Sequence, residues 1–349
     1  MGTAPHPFGL HRSIDPRGVL PQVARRLDAT PRALENEIAV AVRALSIDSA
    51  SFRQLRETEA STGEPIADQI VRIVRERGKM QNPVTGSGGM LSGEVAEVGA
   101  YHPAAHALAR GDRIASLVSL TLTPLSLESV GDIYAETERV EVKGTAILFE
   151  RTLLARLPED FPEPVALAAF DVAGAPACVL RDAKPGETLL IVGTGKAGLL
   201  CLAAAREAVG ADGKVLAVEP SSLAAERARS LDLADEVFVI DARDPVAMLS
   251  AVESATAGGL AHLVVNVANA SGTEAASVLC ARDDGAVLFF GMATSFSAAA
   301  LNAEGLAKPT ALRIGNGFVP GHDEAALGLL RRHPALRTAF VSLAGGAVR

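Results

Sequence analysis

"AKPGETLLIVGTGKAGLL", residues 183–200, decides the fold. Its centre, "TLLIV", is a continuous apolar run rather than an alternating one, as expected of a strand covered on both faces. The run passes directly into Gly193, Gly195 and Gly198, spaced G-x-G-x-x-G, and then into a Leu- and Ala-rich helical stretch. At such a turn the first glycine permits the tight bend and the second lets a pyrophosphate approach the backbone. The third lets helix and strand pack closely. The start of the helix offers free N–H groups and a partial positive charge to phosphates. Gly193, Thr194, Gly195, Lys196, Ala197 and Gly198 are therefore expected to hold a dinucleotide.

Outward from this stretch, strands and helices alternate. Further apolar runs lie at 214–219, 236–240, 262–268 and 286–291, separated by helical segments such as "LAAERARSL". That alternation predicts a parallel, doubly wound α/β sheet over residues 166–335. The second strand ends at Glu219, 21 residues beyond Gly198, where a carboxylate should meet the adenosine ribose. A carboxylate there accepts hydrogen bonds from the ribose hydroxyls and repels a 2′-phosphate, so NAD is the expected cofactor. Ser221 and Ser222 leave room for NADP at lower efficiency. Asn266, Val267 and Gly291, at the ends of later strands, complete the expected cofactor contacts.

Residues 1–165 read differently. "EIAVAVRALSI" alternates as a half-buried strand does, "GEVAEVG" and "GDRI" mark a strand pair, and turn signals recur at irregular intervals. One helix interrupts this β-rich half near 64–78, with Pro65 in its first turn and Gly78 at its end. A second glycine-rich run, "NPVTGSGGML" at 82–91, follows it. No strand leads into this run as one leads into the dinucleotide loop. Its Thr85 and Ser87 offer hydroxyls and N–H groups to a substrate. Residues 336–349 are expected to return to this first domain.

Composition narrows the function. The chain of 349 residues carries a net charge of −8, with 4% aromatics and no Trp. With acidic residues in excess, no basic field exists to release counterions from nucleic acid or to hold an anionic membrane. Three cysteines are too few and too scattered for a disulfide framework or a cysteine-rich zinc lobe. The N-terminus lacks an apolar core behind basic residues, and no apolar stretch spans a bilayer, so a cytoplasmic protein is expected.

A β-rich first half followed by a dinucleotide fold resembles the medium-chain dehydrogenase/reductase family. "VRALSIDSAS", "GEVAEVG", "GDRI" and "AKPGETLLIVGTGKAG" occur in that family's order and spacing. The resemblance implies a GroES-like β-rich domain, a Rossmann domain, and a homodimer paired through the edge strand at 311–319. It also locates the zinc-ligand positions of zinc-dependent members. Here they hold Asp48, followed by Ser49, then Gly88-Gly89-Met90 and the region 168–171. A carboxylate alone cannot complete a tetrahedral zinc site, so no metal is expected. Within the family, "GKMQNPVTGSGGML" and the helix before it resemble the zinc-free L-erythro-3,5-diaminohexanoate dehydrogenases.

That group implies oxidative deamination of a 3-amino acid to a 3-oxo acid. An ammonium substrate must lose a proton before it can give up hydride, which calls for a carboxylate rather than a Lewis acid. Asp48 and Asp171 are the candidates. Ser49, Thr85, Ser87 and Lys79 are expected to bind the small amino-acid substrate, with Arg53 as a further cation. Two other readings stay open: a zinc-free quinone or enoyl reductase, and a non-catalytic NAD-binding regulatory protein.

Overall fold

The computed structural model describes residues 5–117, 119–315 and 317–345. The chain divides into two units, residues 1–163 and 164–349.

The first unit is built on an antiparallel six-stranded sheet. Its strands are β3 (Ile38–Ser46), β4 (Met90–Val98), β5 (Arg113–Ser116), β6 (Leu125–Tyr134), β7 (Arg139–Leu148) and β8 (Leu154–Arg156), in the order β6-β7-β3-β4-β5-β8. A short ribbon of β1 (Ser13–Asp15) and β2 (Arg26–Leu27) precedes it. Strand β3 alternates over Val40–Arg43, with Ile38, Val40 and Val42 buried and Ala41 and Arg43 exposed, but Ala39, expected on the outer face, is buried as well. Its apolar side chains join one core with Ile66, Ile70, Ile73 and Val74.

Those four belong to α2 (Ile66–Arg77), the helix expected from the sequence. A second helix, α1 (Ser49–Thr62), was not expected. Only Phe52 and Leu55 of its hydrophobic side chains are buried, a stripe too narrow for periodicity to reveal. Asp48 and Gly63 bound it, Gly63 taking a left-handed φ of 77°.

The N-terminal arm is fastened by Glu37, which is fully buried. Its carboxylate accepts from Arg12 Nε at 3.0 Å and from Leu34 N at 2.8 Å, and lies 2.8 Å from His11 Nε2. Burial alone would raise this carboxyl, but the His11 and Arg12 partners outweigh it and hold it at about 2. At the end of the unit, Glu163 accepts from Ser92 Oγ at 2.6 Å and pairs with Arg113 at 2.6 Å.

The second unit is a parallel six-stranded sheet. Its strands are β9 (Thr188–Val192), β10 (Lys214–Val218), β11 (Glu236–Phe238), β12 (Ala261–Asn266), β13 (Ala281–Phe289) and β14 (Ala311–Ile314). The order β11-β10-β9-β12-β13-β14 places a topological switch at β9, where chain order reverses. Helices alternate with the strands: α3 (Glu163–Val172), α4 (Gly174–Asp182), α5 (Lys196–Val209), α6 (Ser222–Arg229), α7 (Pro245–Thr256), α8 (Glu274–Leu279), α9 (Phe296–Gly305), α10 (His322–Arg332) and α11 (Pro334–Leu343). Four of the five residues of β9 are buried, as an apolar run covered on both faces requires.

One expectation is corrected here. The described part of 336–349 does not return to the first unit, because α11 packs on α5 and α10 of the second. Leu336 and Phe340 give it the apolar face for that packing. No single helix among the described residues is long and apolar enough to cross a membrane.

Candidate active site

The dinucleotide loop lies at the switch point. Gly193 ends β9 with φ 93°, and its N–H bonds to Val218 O at 2.9 Å. A Cβ on Gly198 would fall 2.0 Å from Gly193 O, so the third glycine is there for close packing of α5 on the turn. A Cβ on Gly195 would meet nothing within 4 Å. That open side suits a pyrophosphate. Gly195 is also the N-cap of α5 and brings no side chain to cap it, so no side-chain oxygen competes for the first-turn N–H groups, including those of Lys196 and Ala197. The residues present therefore fit a dinucleotide.

Glu219 follows β10 and reaches back to this loop. Its Oε2 accepts from Thr194 N at 2.9 Å and Thr194 Oγ1 at 3.0 Å, and its Oε1 accepts from Ser221 N at 3.0 Å. Thr194 itself is fully buried, so its side chain serves Glu219 and not the cofactor directly. Asn266 is likewise corrected. Its side chain is buried, donates to Thr273 Oγ1 at 2.8 Å and Ser277 Oγ at 2.9 Å, and accepts from Ala268 N at 3.1 Å. The amide is buried and shapes the turn after β12. Gly291 comes close to Ala268 O of the same turn, and Val267 lies beside Gly198.

In the first unit, Asp48 is the N-cap of α1. Its Oδ1 accepts from Ser51 N at 3.0 Å and from Ser87 Oγ at 2.8 Å. Ser87, Ser51 and Thr85 form a ring of hydroxyls: Ser51 to Thr85 at 2.6 Å, Ser51 to Ser87 at 2.8 Å, Thr85 to Ser87 at 3.0 Å. The other oxygen, Oδ2, is buried and has no partner. A buried carboxylate oxygen without a donor is costly, and it is the group that a cationic ligand would satisfy.

The run at 82–91 holds this geometry together. Asn82 Oδ1 accepts from Val84 N at 2.8 Å and Thr85 N at 3.3 Å, closing a side-chain turn, while its Nδ2 donates to Gln54 Oε1 at 2.7 Å. Gly89 has φ 105°, and a Cβ there would lie 2.0 Å from Ser46 O and 2.9 Å from Asp48 N. Glycine at 89 lets the loop lie directly on the backbone that presents Asp48. Gly88 and Gly89 serve close packing of the loop on the protein, whereas a Cβ on Gly86 would meet nothing within 4 Å.

Three expectations change accordingly. Ser87 donates to Asp48, and the exposed Thr85 hydroxyl bonds with those of Ser51 and Ser87, so both help to position the carboxylate. Ser49 Oγ donates to Glu138 Oε2 at 2.7 Å, away from that cluster. Lys79 is fully buried, its Nζ donating to the carbonyls of Pro21 at 2.7 Å and Gln22 at 3.3 Å. Burial, aided by Arg77, pushes its ammonium down to about 8. It anchors the N-terminal arm and cannot reach a substrate carboxylate. Asp171 is exposed in the last turn of α3, in the second unit. Sequence reasoning missed Ser51, although Asp48 at a strand end is itself an N-cap residue that could have marked the start of a helix there. No group of three His, Cys, Asp or Glu among the described residues is arranged to hold a metal.

Residues 11–158 match the family model for the L-erythro-3,5-diaminohexanoate dehydrogenase N-terminal domain. Over 334 residues the chain is 44% identical to the L-erythro-3,5-diaminohexanoate dehydrogenase of Acetoanaerobium sticklandii, covering 95% of this chain and 97% of that one. The chain belongs to the L-erythro-3,5-diaminohexanoate dehydrogenase family. The enzyme of that name from Fusobacterium nucleatum is also 44% identical, over 336 residues, with coverage of 95% and 97%.

Among solved structures, an alcohol dehydrogenase from Thermotoga maritima matches with a TM-score of 0.57 at 15% identity, covering 88% of this chain and 85% of that one. A mycobacterial protein solved in complex with NADPH matches with a TM-score of 0.53 at 18% identity, covering 90% and 83%. These likenesses concern the fold, a GroES-like β-rich unit followed by a Rossmann unit.

Proposed function

We propose that this enzyme oxidises the 3-amino group of L-erythro-3,5-diaminohexanoate, giving 5-amino-3-oxohexanoate and ammonia, with NAD as oxidant. The observation that carries the reading is near-full-length identity of 44% to dehydrogenases of that substrate. The partnerless Oδ2 of Asp48 supports it with chemistry that an amine needs and an enone does not.

The substrate nitrogen arrives as an ammonium ion. Asp48 Oδ2 accepts one of its protons, freeing the nitrogen lone pair. When bound, a nicotinamide dinucleotide supplies the acceptor for the hydride, two electrons and a proton, that leaves C3 as the lone pair closes to an iminium. Once Asp48 has passed the ammonium proton to solvent, it takes a proton from the water that adds to C3 of the iminium and gives it to the nitrogen of the resulting carbinolamine. The C–N bond then breaks, ammonia departs, and the remaining hydroxyl proton leaves to form the 3-oxo group. Ser87 and the Ser51 N–H hold Oδ1, which leaves Oδ2 as the oxygen that would take the proton.

The Glu219 carboxylate supports NAD over NADP, since a 2′-phosphate beside it is repelled. We further read the enzyme as a cytoplasmic homodimer paired through β14, an edge strand whose four residues are all exposed. Steady-state turnover of a panel of amino acids with NAD and with NADP tests the whole reading. Reduction of NAD by 3,5-diaminohexanoate is expected to dominate. Turnover only of enones or quinones would overturn it.

A further inference from the structure

The loop that cradles the pyrophosphate and the carboxylate that reads the ribose are joined by one side chain. Thr194 is fully buried between Gly193 and Gly195; its N–H donates to Glu219 Oε2 at 2.9 Å and its hydroxyl lies 3.0 Å from the same oxygen, closer than its other acceptor, Ala224 O at 3.5 Å. Ser221 N gives one more to Oε1 at 3.0 Å. A carboxylate has about four acceptor positions. Oε2 is therefore filled by Thr194, and the position left open is on Oε1. The carboxylate cannot rotate without breaking bonds at both ends.

We propose that the Thr194 hydroxyl is a specificity-determining positioning residue, fixing Glu219 so that NAD is accepted and NADP refused. The proposal rests on the reading of Glu219 as the ribose-binding carboxylate. Discrimination against a 2′-phosphate needs a negative charge that cannot move aside, because a carboxylate free to swing away relieves the repulsion it is there to exert. Thr194 N and Ser221 N each hold one oxygen, and the Thr194 hydroxyl adds a second bond on Oε2 that must also break before that end can swing away. Thr194 has no exposed surface through which to touch the cofactor itself, so its effect passes through Glu219.

The test is fluorescence titration of NADH and of NADPH into the intact enzyme and its variants. Thr194→Val keeps the branched shape and removes only the hydroxyl. It is expected to lower the ratio of Kd for NADPH to Kd for NADH about tenfold, in line with loss of one hydrogen bond to a charged group. Thr194→Ser, which keeps the hydroxyl, is expected to stay within about twofold of the unaltered ratio. Thr194→Ala, smaller still, carries the same expectation as valine if the valine variant does not fold. A hydroxyl that served only the loop would weaken both nucleotides alike, and an unchanged ratio in the valine and alanine variants overturns the proposal. Glu219→Ala separates the two levels. If it shifts the ratio while the Thr194 variants do not, Glu219 reads the ribose without help from Thr194. If Glu219→Ala leaves the ratio where it was, the reading of Glu219 fails, and the proposal fails with it.

Discussion

Replacing Asp48 with asparagine tests the chemistry most directly, because the structure dictates how the amide must sit. The two groups bonded to Oδ1, Ser51 N and Ser87 Oγ, are both donors. The asparagine carbonyl must occupy that position to keep them, which turns the NH₂ to the place of Oδ2. A donor then stands where the substrate ammonium needs an acceptor, and the base is gone. Loss of a general base costs on the order of 10²–10⁴ in rate, about 3–5 kcal/mol of barrier. Asparagine caps a helix about as well as aspartate, so stability should move by less than about 1 kcal/mol. The expected result is a kcat/KM for the amine at least about a hundredfold lower, with thermal unfolding and NADH affinity nearly unchanged. Asp48→Ala should lose the same activity and also about 1 kcal/mol of cap energy. Oxidation of the amine by Asp48→Asn at a near-normal rate would refute the assignment and move attention to Asp171.

Acid stability should follow Glu37. Its carboxyl lies at about 2 in the folded chain against an ordinary 4.5, so its contribution is fully present above pH 4.5 and is lost as pH falls towards 2. The difference amounts to about 3 kcal/mol, and a Glu37→Gln variant whose stability between those limits is as pH-dependent as the parent's would contradict it. Lys79→Met should lower stability while leaving KM for the amine within about twofold of its original value, since two carbonyls rather than a substrate hold that ammonium. A tenfold rise in KM at constant stability would restore Lys79 to the substrate site. Gly89→Ala adds a Cβ 2.0 Å from Ser46 O at a φ of 105°, which should cost about 1–3 kcal/mol and disable amine oxidation more than NADH binding. Unaltered turnover in that variant would show that the loop tolerates being pushed off Asp48.

The second unit was largely readable because a covered parallel strand leaves a continuous apolar run, and because the glycine spacing follows one such run directly. Thr188–Val192 and Lys214–Val218 emerge where the apolar runs at 188–192 and 214–219 indicated. The interior of the first unit was less readable. Helix α1 turns only Phe52 and Leu55 inward among its hydrophobic residues and shows the sequence a mostly polar face. Missing α1 hid Ser51, and with it the hydroxyl ring around Asp48. Lys79 and Asn266 failed for a different reason. A long cation and a strand-end amide are common ligands for substrates and cofactors, but here both are sealed inside and satisfied by their own chain. Sequence gives the donor type and not whether a backbone carbonyl has already taken it.

The two glycine-rich runs make the same point about residues that look alike. At 193–198 the middle glycine leaves space that nothing in the protein fills, whereas at 89 the missing Cβ is filled by Ser46 and Asp48 backbone. Gly195 is open on the side a ligand would take and Gly89 is closed on its own fold, and only the tertiary neighbour distinguishes them. Asp48 is subject to the same logic. Capping a helix and acting as a base look like alternatives in a sequence, since an aspartate at a strand end does the first routinely. In the fold they divide between two oxygens. Oδ1 is consumed by the cap and by Ser87, and that fixes the carboxylate so that Oδ2 keeps one orientation without a partner. The cap does not compete with the chemistry. It fixes the carboxylate that we propose as the base.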